Sequence, residues 1–194
     1  MPRTKEQNMA IRAEKKQLIM DTALKLFAEN GFERTSTESI AQHAGISSGL
    51  LFAYFKSKED LLYQILASGM QVASEIFHAD MTMDEFVEGV EKLFNNILEN
   101  RDFFKLYSII SVQPKITDKI AQMRNESELL NIGLVNIFKK HFGEERAMKE
   151  LLLISAIMKG FTIISVFADK QNVFPPETMN NMIMEFIREH FDSR

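Results

Sequence analysis

Apolar residues recur every three or four positions along most of this chain, which is the spacing of one face of an α-helix. Between residues 35 and 55 one such stripe stops before Gly45 and another begins after it. Glycine adopts the left-handed conformation that ends a helix and reverses the chain. The stripes consist of Ile40, Ala41, Ala44, Leu51 and Phe55. The pattern predicts two short helices joined by a tight turn, with Ile46 in the angle between them.

Polar residues mark where these helices begin. Thr35 and Glu38 have the spacing of a capping box, in which a hydroxyl and a carboxylate each accept from a free backbone amide. Either Ser47 or Ser48 is suited to cap the second helix. A helix-turn-helix of this kind places the first turns of its second helix in a DNA major groove. Its exposed residues would then face bases or sugar edges: Ser47, Ser48, Gly49, Leu50 and Ala53.

The same periodicity predicts helices on both sides of this unit. We expect a mobile basic tail over residues 1–16, a first helix from about Arg12 to Asn30, and a long helix from Ser57 to about His78. Further helices are predicted from Thr82, which forms a capping box with Glu85, and over the ranges 103–112, 114–142, 144–170 and 176–194. The prediction is an all-α protein of about nine helices. A DNA-binding domain spans residues 12–72 and a second helical domain spans residues 73–194.

Composition agrees with long helices in a globular protein. The 194 residues include 45% hydrophobic and 26% charged residues, with four prolines and eight glycines. Cysteine is absent from the sequence, which excludes disulfides and thiolate metal sites. The first sixteen residues lack the apolar core of a secretory signal, so the cytoplasm is the expected location.

The net charge of −4 is unevenly distributed. Residues 1–60 contain nine basic and eight acidic residues, a balance of +1, which leaves −5 for the remaining 134 residues. A nucleic-acid partner would therefore be held by a few well-placed cations and backbone amides, with strong salt sensitivity.

The segment 151–168 is apolar on all sides, with Lys159 as its single charge. A membrane span is one interpretation, but the segment is short and lacks aromatic or basic flanks. The favoured interpretation buries one face in the chain's own core and the other against a second subunit. The last helix would join it in a four-helix dimer interface. The predicted interface residues are Ala156, Gly160, Met179, Met182, Ile183 and Phe186.

The sequence contains little that matches a catalytic or metal-binding pattern. The four histidines are far apart in sequence, and the pair of Glu75 and His78 lacks the second pair that a helical di-metal site needs. The Gly45–Gly49 segment suggests a nucleophile elbow but follows no strand. We therefore predict that the chain is not an enzyme and has no catalytic residues, metal or cofactor.

Several short motifs between Ile19 and Leu62 together resemble the DNA-binding domain of the TetR family of bacterial transcriptional regulators. They are ALKLF from Ala23, GF from Gly31, TST from Thr35, IA from Ile40, AGIS from Ala44, Gly49, and YFKSKE from Tyr54. The resemblance covers about the first third of the chain. It implies a homodimeric regulator, a repressor, that binds a palindromic double-stranded DNA operator.

The resemblance and the helix-turn-helix together define the predicted DNA contacts. They are Thr37, Ser47, Ser48, Gly49, Leu50, Phe52, Ala53, Tyr54, Lys56 and Lys58. The family commonly has threonine where Leu50 stands and tyrosine where Phe52 stands, so both hydroxyls are missing here. Leu50 can still contact a thymine methyl and Phe52 a sugar, while Tyr54 and the lysines remain for phosphates.

The second domain is rich in adaptable apolar side chains, with nine methionines and twelve phenylalanines after residue 60. Such residues fill ordinary cores, but the resemblance implies a cavity for a small apolar effector. The predicted lining is Phe94, Phe104, Tyr107, Ser108, Ser111, Met123 and Phe161. An alternative function is a dimeric interaction protein controlled by a protein partner, with weak DNA binding. No membrane partner is expected.

Overall fold

The computed structural model describes residues 4–78, 80–113, 128–167 and 175–192, and within these ranges it contains nine helices and no strand. The helices are α1 (Lys5–Asn30), α2 (Thr37–His43), α3 (Ser48–Tyr54), α4 (Lys58–Ile76), α5 (Met83–Glu99), α6 (Arg101–Ile110), α7 (Glu128–Phe142), α8 (Glu144–Phe167) and α9 (Pro176–Asp192). The prediction of an all-α fold is confirmed.

The chain divides into two compact units, Met1–Gly69 and Met70–Arg194. In the first unit the buried face of α1 packs on α2, and α2 packs on α3. Ile19, Phe27 and Leu51 are fully buried there. Burial of each such side chain contributes roughly 1.5–3 kcal/mol, so this small core fixes how α2 and α3 are held.

Helix α1 begins earlier than the sequence suggested. Thr4 is its N-cap, because the Thr4 side chain accepts from the backbone of Gln7 and the Gln7 side chain accepts from the backbone of Thr4. The prediction of a mobile basic tail up to residue 16 is therefore wrong from Lys5 onward. The basic residues of this segment lie on a helix.

The second unit is organised around Phe86 of α5. Its ring meets those of Phe77, Phe138 and Phe191 with centroid distances of 5.7, 5.1 and 6.2 Å. The edge-to-face geometry with Phe138 and Phe191 adds a favourable quadrupole interaction to the apolar burial. These contacts bring α5, α7 and α9 together in one core.

Helix ends in the second unit agree with the sequence at two points. Thr82 and Glu85 form the predicted capping box, and Gly143 follows α7 with φ of 80°. Helix α6 lies two residues earlier than predicted, because Asn100 ends α5 and α6 begins immediately after it. The predicted helix start at Pro114 lies outside the described residues.

Helix α8 has two apolar faces. The inward face includes Ile154, Phe161 and Val166, which are buried in the unit's core. The outward face leaves Leu152 72% exposed and Phe167 49% exposed. By length and composition alone α8 is apolar enough to cross a membrane, although its inward face packs on the chain's own core as in a soluble protein.

Candidate nucleic-acid interface

The turn between α2 and α3 depends on Gly45. Its φ is 64°, in the left-handed region, and its N–H donates to the carbonyl of Gln42 at 3.2 Å. The N–H of Ile46 donates to the carbonyl of Ala41 at 3.0 Å. These bonds satisfy the last carbonyls of α2 and reverse the chain, as the sequence predicted for this glycine.

Helix α2 is capped by Ser36, whose hydroxyl accepts from the N–H of Ser39 at 3.1 Å. The prediction that Thr35 caps this helix with Glu38 is wrong. Thr35 is buried, and its hydroxyl donates to the carbonyl of Gly31 at 2.9 Å. It thereby ties the loop between α1 and α2 to the end of α1.

Helix α3 is anchored along one side and exposed along the other. Ser47 is its N-cap and accepts from the N–H of Leu50 at 3.2 Å, while Leu51 and Phe55 are buried beneath it. On the two flanks of α3 Leu50 is 38% exposed and Phe52 49% exposed. The core thus fixes the orientation of α3 and leaves its outward face free in the first unit.

The predicted DNA contacts fall into two groups according to their exposure to solvent. Those that are exposed are Ser47, Gly49, Leu50, Phe52, Ala53 and Lys56. Those that are half-buried are Thr37, Ser48, Tyr54 and Lys58. The hydroxyl of Thr37 lies 3.5 Å from the carboxylate of Glu38.

Lys58 has a structural role that the sequence did not predict. Its ammonium group donates to the carbonyl oxygens of Phe32, Thr35 and Glu33 at 2.9, 3.1 and 3.4 Å. It also lies 4.4 Å from the centroid of the Phe32 ring. The ammonium group thus already has three carbonyl partners in this structure, and its contact with a DNA phosphate stays a prediction. Lys58 holds the loop between α1 and α2 in place.

Asp60 organises the connection from α3 to α4. Its carboxylate accepts from the N–H of Lys56 at 2.8 Å and from the side chain of Gln64 at 3.1 Å. The bond from the Lys56 N–H is the main cause that lowers the pKa of Asp60, and the charges of Lys56 and Lys16 lower it further. The carboxylate therefore stays ionised and fixes the backbone that carries the exposed Lys56.

Two basic residues of α1 lie beside the end of α3. The guanidinium of Arg12 is 5.7 Å from the centre of the Tyr54 ring, and the ammonium of Lys16 is 6.0 Å from that of Phe55. The sequence prediction placed both residues where the basic tail enters the first helix. Their i, i+4 spacing, together with a Thr4–Gln7 capping box, was the available signal that they share one helix face.

The predicted effector residues are only partly brought together. Phe94 and Phe161 are buried and stack with a centroid distance of 4.0 Å. Phe104 packs against the same core, whereas Met123 lies outside the described residues. The remaining three share a half-buried face of α6 with Phe104: Tyr107, Ser108 and Ser111.

The predicted dimer residues lie on α8 and α9 of the second unit. Ala156, Met182 and Phe186 are exposed. Gly160, Met179 and Ile183 are half-buried, and the last two also contact the unit's core.

Known proteins are similar to this chain in both units. Residues 19–65 match the family described as bacterial regulatory proteins, tetR family. The chain is 36% identical over 137 residues to an uncharacterized HTH-type transcriptional regulator, YuxN, of Bacillus subtilis. That alignment covers 66% of this chain and 47% of YuxN, so the matched part spans about half of this curated relative.

Solved structures share the fold over nearly the whole chain. A transcriptional regulator (TerR/AcrR family) from Aquifex aeolicus superposes with a TM-score of 0.71 at 19% identity and covers 92% of this chain and 98% of its own. The fatty acid degradation regulator FadR from Bacillus halodurans gives a TM-score of 0.71 at 18% identity, with coverages of 89% and 94%.

A helix-turn-helix with an exposed second helix, followed by a larger helical unit, defines a class of helical DNA-binding proteins. Within that class residues 19–65 match the TetR family of bacterial regulatory proteins, which is the family that the motifs predicted. The family is one of transcriptional regulators and not of enzymes, which agrees with the expectation from the sequence.

Proposed function

We propose that the chain is a homodimeric, sequence-specific repressor that leaves a palindromic operator when a small apolar molecule binds. It acts in the cytoplasm, where the operator is. The observation that carries the proposal is the arrangement of α3, which is anchored through Leu51 and Phe55 and exposed through Leu50 and Phe52. A helix held in this way is able to enter a major groove without rearrangement.

Phosphate contacts come from the edges of this unit. Lys56 is exposed and its backbone is fixed by Asp60. Arg12 lies against the Tyr54 ring, so the two side chains form one polar edge beside α3. Contacts of this kind set the register of a protein on DNA, and bases are read by the helix face between them.

Dimerisation is supported by the outward face of α8 and α9. Leu152 is 72% exposed and Phe186 is 47% exposed, and other exposed apolar side chains lie on the same two helices. A β-carbon placed on Gly160 would meet no atom within 4 Å, so glycine is not required there by the chain's own packing. Its absence of a side chain suits the close approach of a second helix. Two such helices from each subunit form a four-helix interface.

A small effector is supported by polar atoms that the second unit leaves without partners. The hydroxyl of Ser165 and the side-chain oxygen of Asn180 are buried and have no hydrogen-bond partner among the residues that the structure describes. Leaving such atoms unpaired costs about 1–3 kcal/mol each. A mostly apolar molecule with one polar end would relieve that cost. The stacked rings of Phe94 and Phe161 are the apolar part of the same core.

The DNA-binding part is tested by selecting sites from random duplex DNA with the full-length protein. We expect one inverted repeat to be enriched, with half-sites about one helical turn apart and at least about a thousandfold preference over scrambled DNA. Equal affinity for the selected and the scrambled duplex, measured by fluorescence anisotropy, would refute the proposal.

The effector part is tested on the same complex. Dodecanoic and hexadecanoic acid are titrated into the protein–operator complex, and release of labelled DNA is followed. We expect saturable release at concentrations that leave the protein folded. Retention of DNA with both acids, together with no change in melting temperature, would contradict an aliphatic effector while leaving DNA binding intact.

A further inference from the structure

The exposed face of α3 is apolar at its flanks. A helix advances about 100° per residue, so relative to the inward Leu51 the side chains of Leu50 and Phe52 point about 100° to either side. Both are substantially exposed, although burial would stabilise each of them. Residues 47–55 include no charged side chain. The helix that faces outward therefore offers apolar contacts where hydrogen-bonding side chains would otherwise stand.

The centre of the same face is flat. Gly49 and Ala53 point within about 20° of directly away from Leu51. A β-carbon on Gly49 would meet no atom within 4 Å, and no positive φ is recorded for it. The fold itself thus gives no reason for glycine at this position, where it weakens a helix. A flat centre lets a partner approach the backbone closely, and the two apolar flanks then reach that partner.

The apolar group that a major groove presents is the C5 methyl of thymine. The other groups on the base edges are hydrogen-bond donors and acceptors, which Leu50 and Phe52 are unable to pair with. Resting on the proposed function of DNA binding, we propose that α3 recognises its operator through thymine methyl groups contacted by Leu50 and Phe52. Gly49 and Ala53 set the depth at which α3 lies in the groove.

Deoxyuridine provides the test, because it lacks only the methyl group of thymine. The operator obtained by selection is resynthesised with deoxyuridine at one thymine of each half-site at a time, and affinity for the full-length protein is measured by anisotropy. At the contacted thymines we expect affinity to fall about fourfold per methyl, which corresponds to about 0.8 kcal/mol. Positions outside the contacts should show no change.

Variants assign the methyl groups to side chains. In Leu50→Ala and in Phe52→Ala, we expect deoxyuridine to have lost its effect at the thymine that the missing side chain contacted. Both residues are exposed, so the variants should fold, and circular dichroism melting checks this. Leu18→Ala is the matched control, because Leu18 is an exposed leucine of the same unit on α1. It should keep the full deoxyuridine effect.

The outcomes separate this inference from the proposed function. If the protein prefers its operator over scrambled DNA but binds the deoxyuridine duplexes with unchanged affinity, the inference is overturned and DNA recognition stands. The same holds if the enriched half-site contains no thymine. If the operator and scrambled DNA are bound equally, the proposed function is refuted, and the inference that rests on it is refuted as well.

Discussion

The ammonium nitrogen of Lys58 lies 2.9 Å from the carbonyl oxygen of Phe32, across 26 positions of sequence. The same group sits 4.4 Å from the Phe32 ring centroid. A charged hydrogen bond and a cation–π contact thus join the start of α4 to the loop after α1. The charge stabilises the first unit.

Lys58→Met is therefore expected to lower the stability of the first unit by about 2 kcal/mol, because partly buried carbonyls lose a charged donor. Lys56→Met should instead leave stability almost unchanged, since Lys56 is exposed, and should weaken operator binding. The slope of log affinity against log salt should fall by about 2 for Lys56→Met, because the dimer on its operator loses one phosphate contact in each subunit. Thermal melting and salt-dependent anisotropy measure the two effects.

Lys149→Met serves as the control for both, because Lys149 is an exposed lysine of α8 in the second unit. It should change neither the melting of the first unit nor the salt slope. A Lys58→Met protein that melts like the wild type and binds DNA with a reduced salt slope would show that Lys58 contacts phosphate after all.

Gly45 and Gly49 form a matched pair for a second prediction. A β-carbon would meet no atom within 4 Å at either position, but Gly45 has a φ of +64° and Gly49 lies within α3. Gly45→Ala should destabilise the unit by about 1–2 kcal/mol through left-handed strain. Gly49→Ala should stabilise it by up to about 1 kcal/mol through helix propensity.

Operator affinity should not follow stability in these two variants. Gly49→Ala is expected to lower operator affinity in spite of its greater stability, because the methyl group stands on the face that meets DNA. Denaturant unfolding and anisotropy are measured on the same preparations. If Gly49→Ala gains stability and keeps full affinity, the flat face of α3 is not used in recognition.

The helix-turn-helix was predictable from sequence because its determinants are local. Apolar spacing and one glycine define it, and Gly45 has the predicted left-handed φ. The capping residue was not resolved by pattern alone. Thr35 and Ser36 are adjacent hydroxyls, and which of them caps α2 depends on the carbonyl of Gly31 that draws the Thr35 hydroxyl inward.

Lys58 shows why the rest of the candidate site was harder to predict. Its three acceptors belong to a loop more than twenty residues away, and that cluster of carbonyls exists only after α1 has packed. From sequence alone, a lysine after a helix-turn-helix is therefore interpreted as a phosphate contact. The helical start of α1 before Arg12 was missed for a different and local reason, since the Thr4–Gln7 capping box was overlooked.

Asp60 gives a prediction for pH dependence. Its pKa is lowered in the folded state, mainly by the hydrogen bond from the Lys56 N–H. The stabilisation is therefore fully present above the ordinary pKa of an aspartate and is lost as the pH falls through the lowered folded value. Asp60→Asn should cost less than about 1 kcal/mol near neutral pH, because the carboxylate is accessible to solvent.

The difference in melting temperature between wild type and Asp60→Asn should shrink as the pH is lowered below about 4. Asp21→Asn is the control, because Asp21 is an exposed aspartate on α1 whose recorded partner is the side chain of Gln17. It should leave the melting temperature at neutral pH almost unchanged. If the difference in melting temperature between wild type and Asp60→Asn is the same at every pH, the side chain of Asp60 stabilises the fold through its shape and not through its charge.

The outward apolar face of α8 and α9 gives the last prediction. Leu152 and Phe186 are both exposed in the single chain. Exposed apolar patches on proteins mark contact surfaces. Leu152→Glu combined with Phe186→Glu should convert the dimer to a monomer in sedimentation experiments, because carboxylates buried without partners in an interface are strongly unfavourable.

Val112→Glu is the matched control, since Val112 is 77% exposed and lies on neither helix. Operator affinity should fall in the double variant, because one reading helix replaces two. A wild-type chain that is monomeric in buffer but floats with lipid vesicles would instead mark this face as a membrane surface, and dimeric DNA recognition would have to be abandoned.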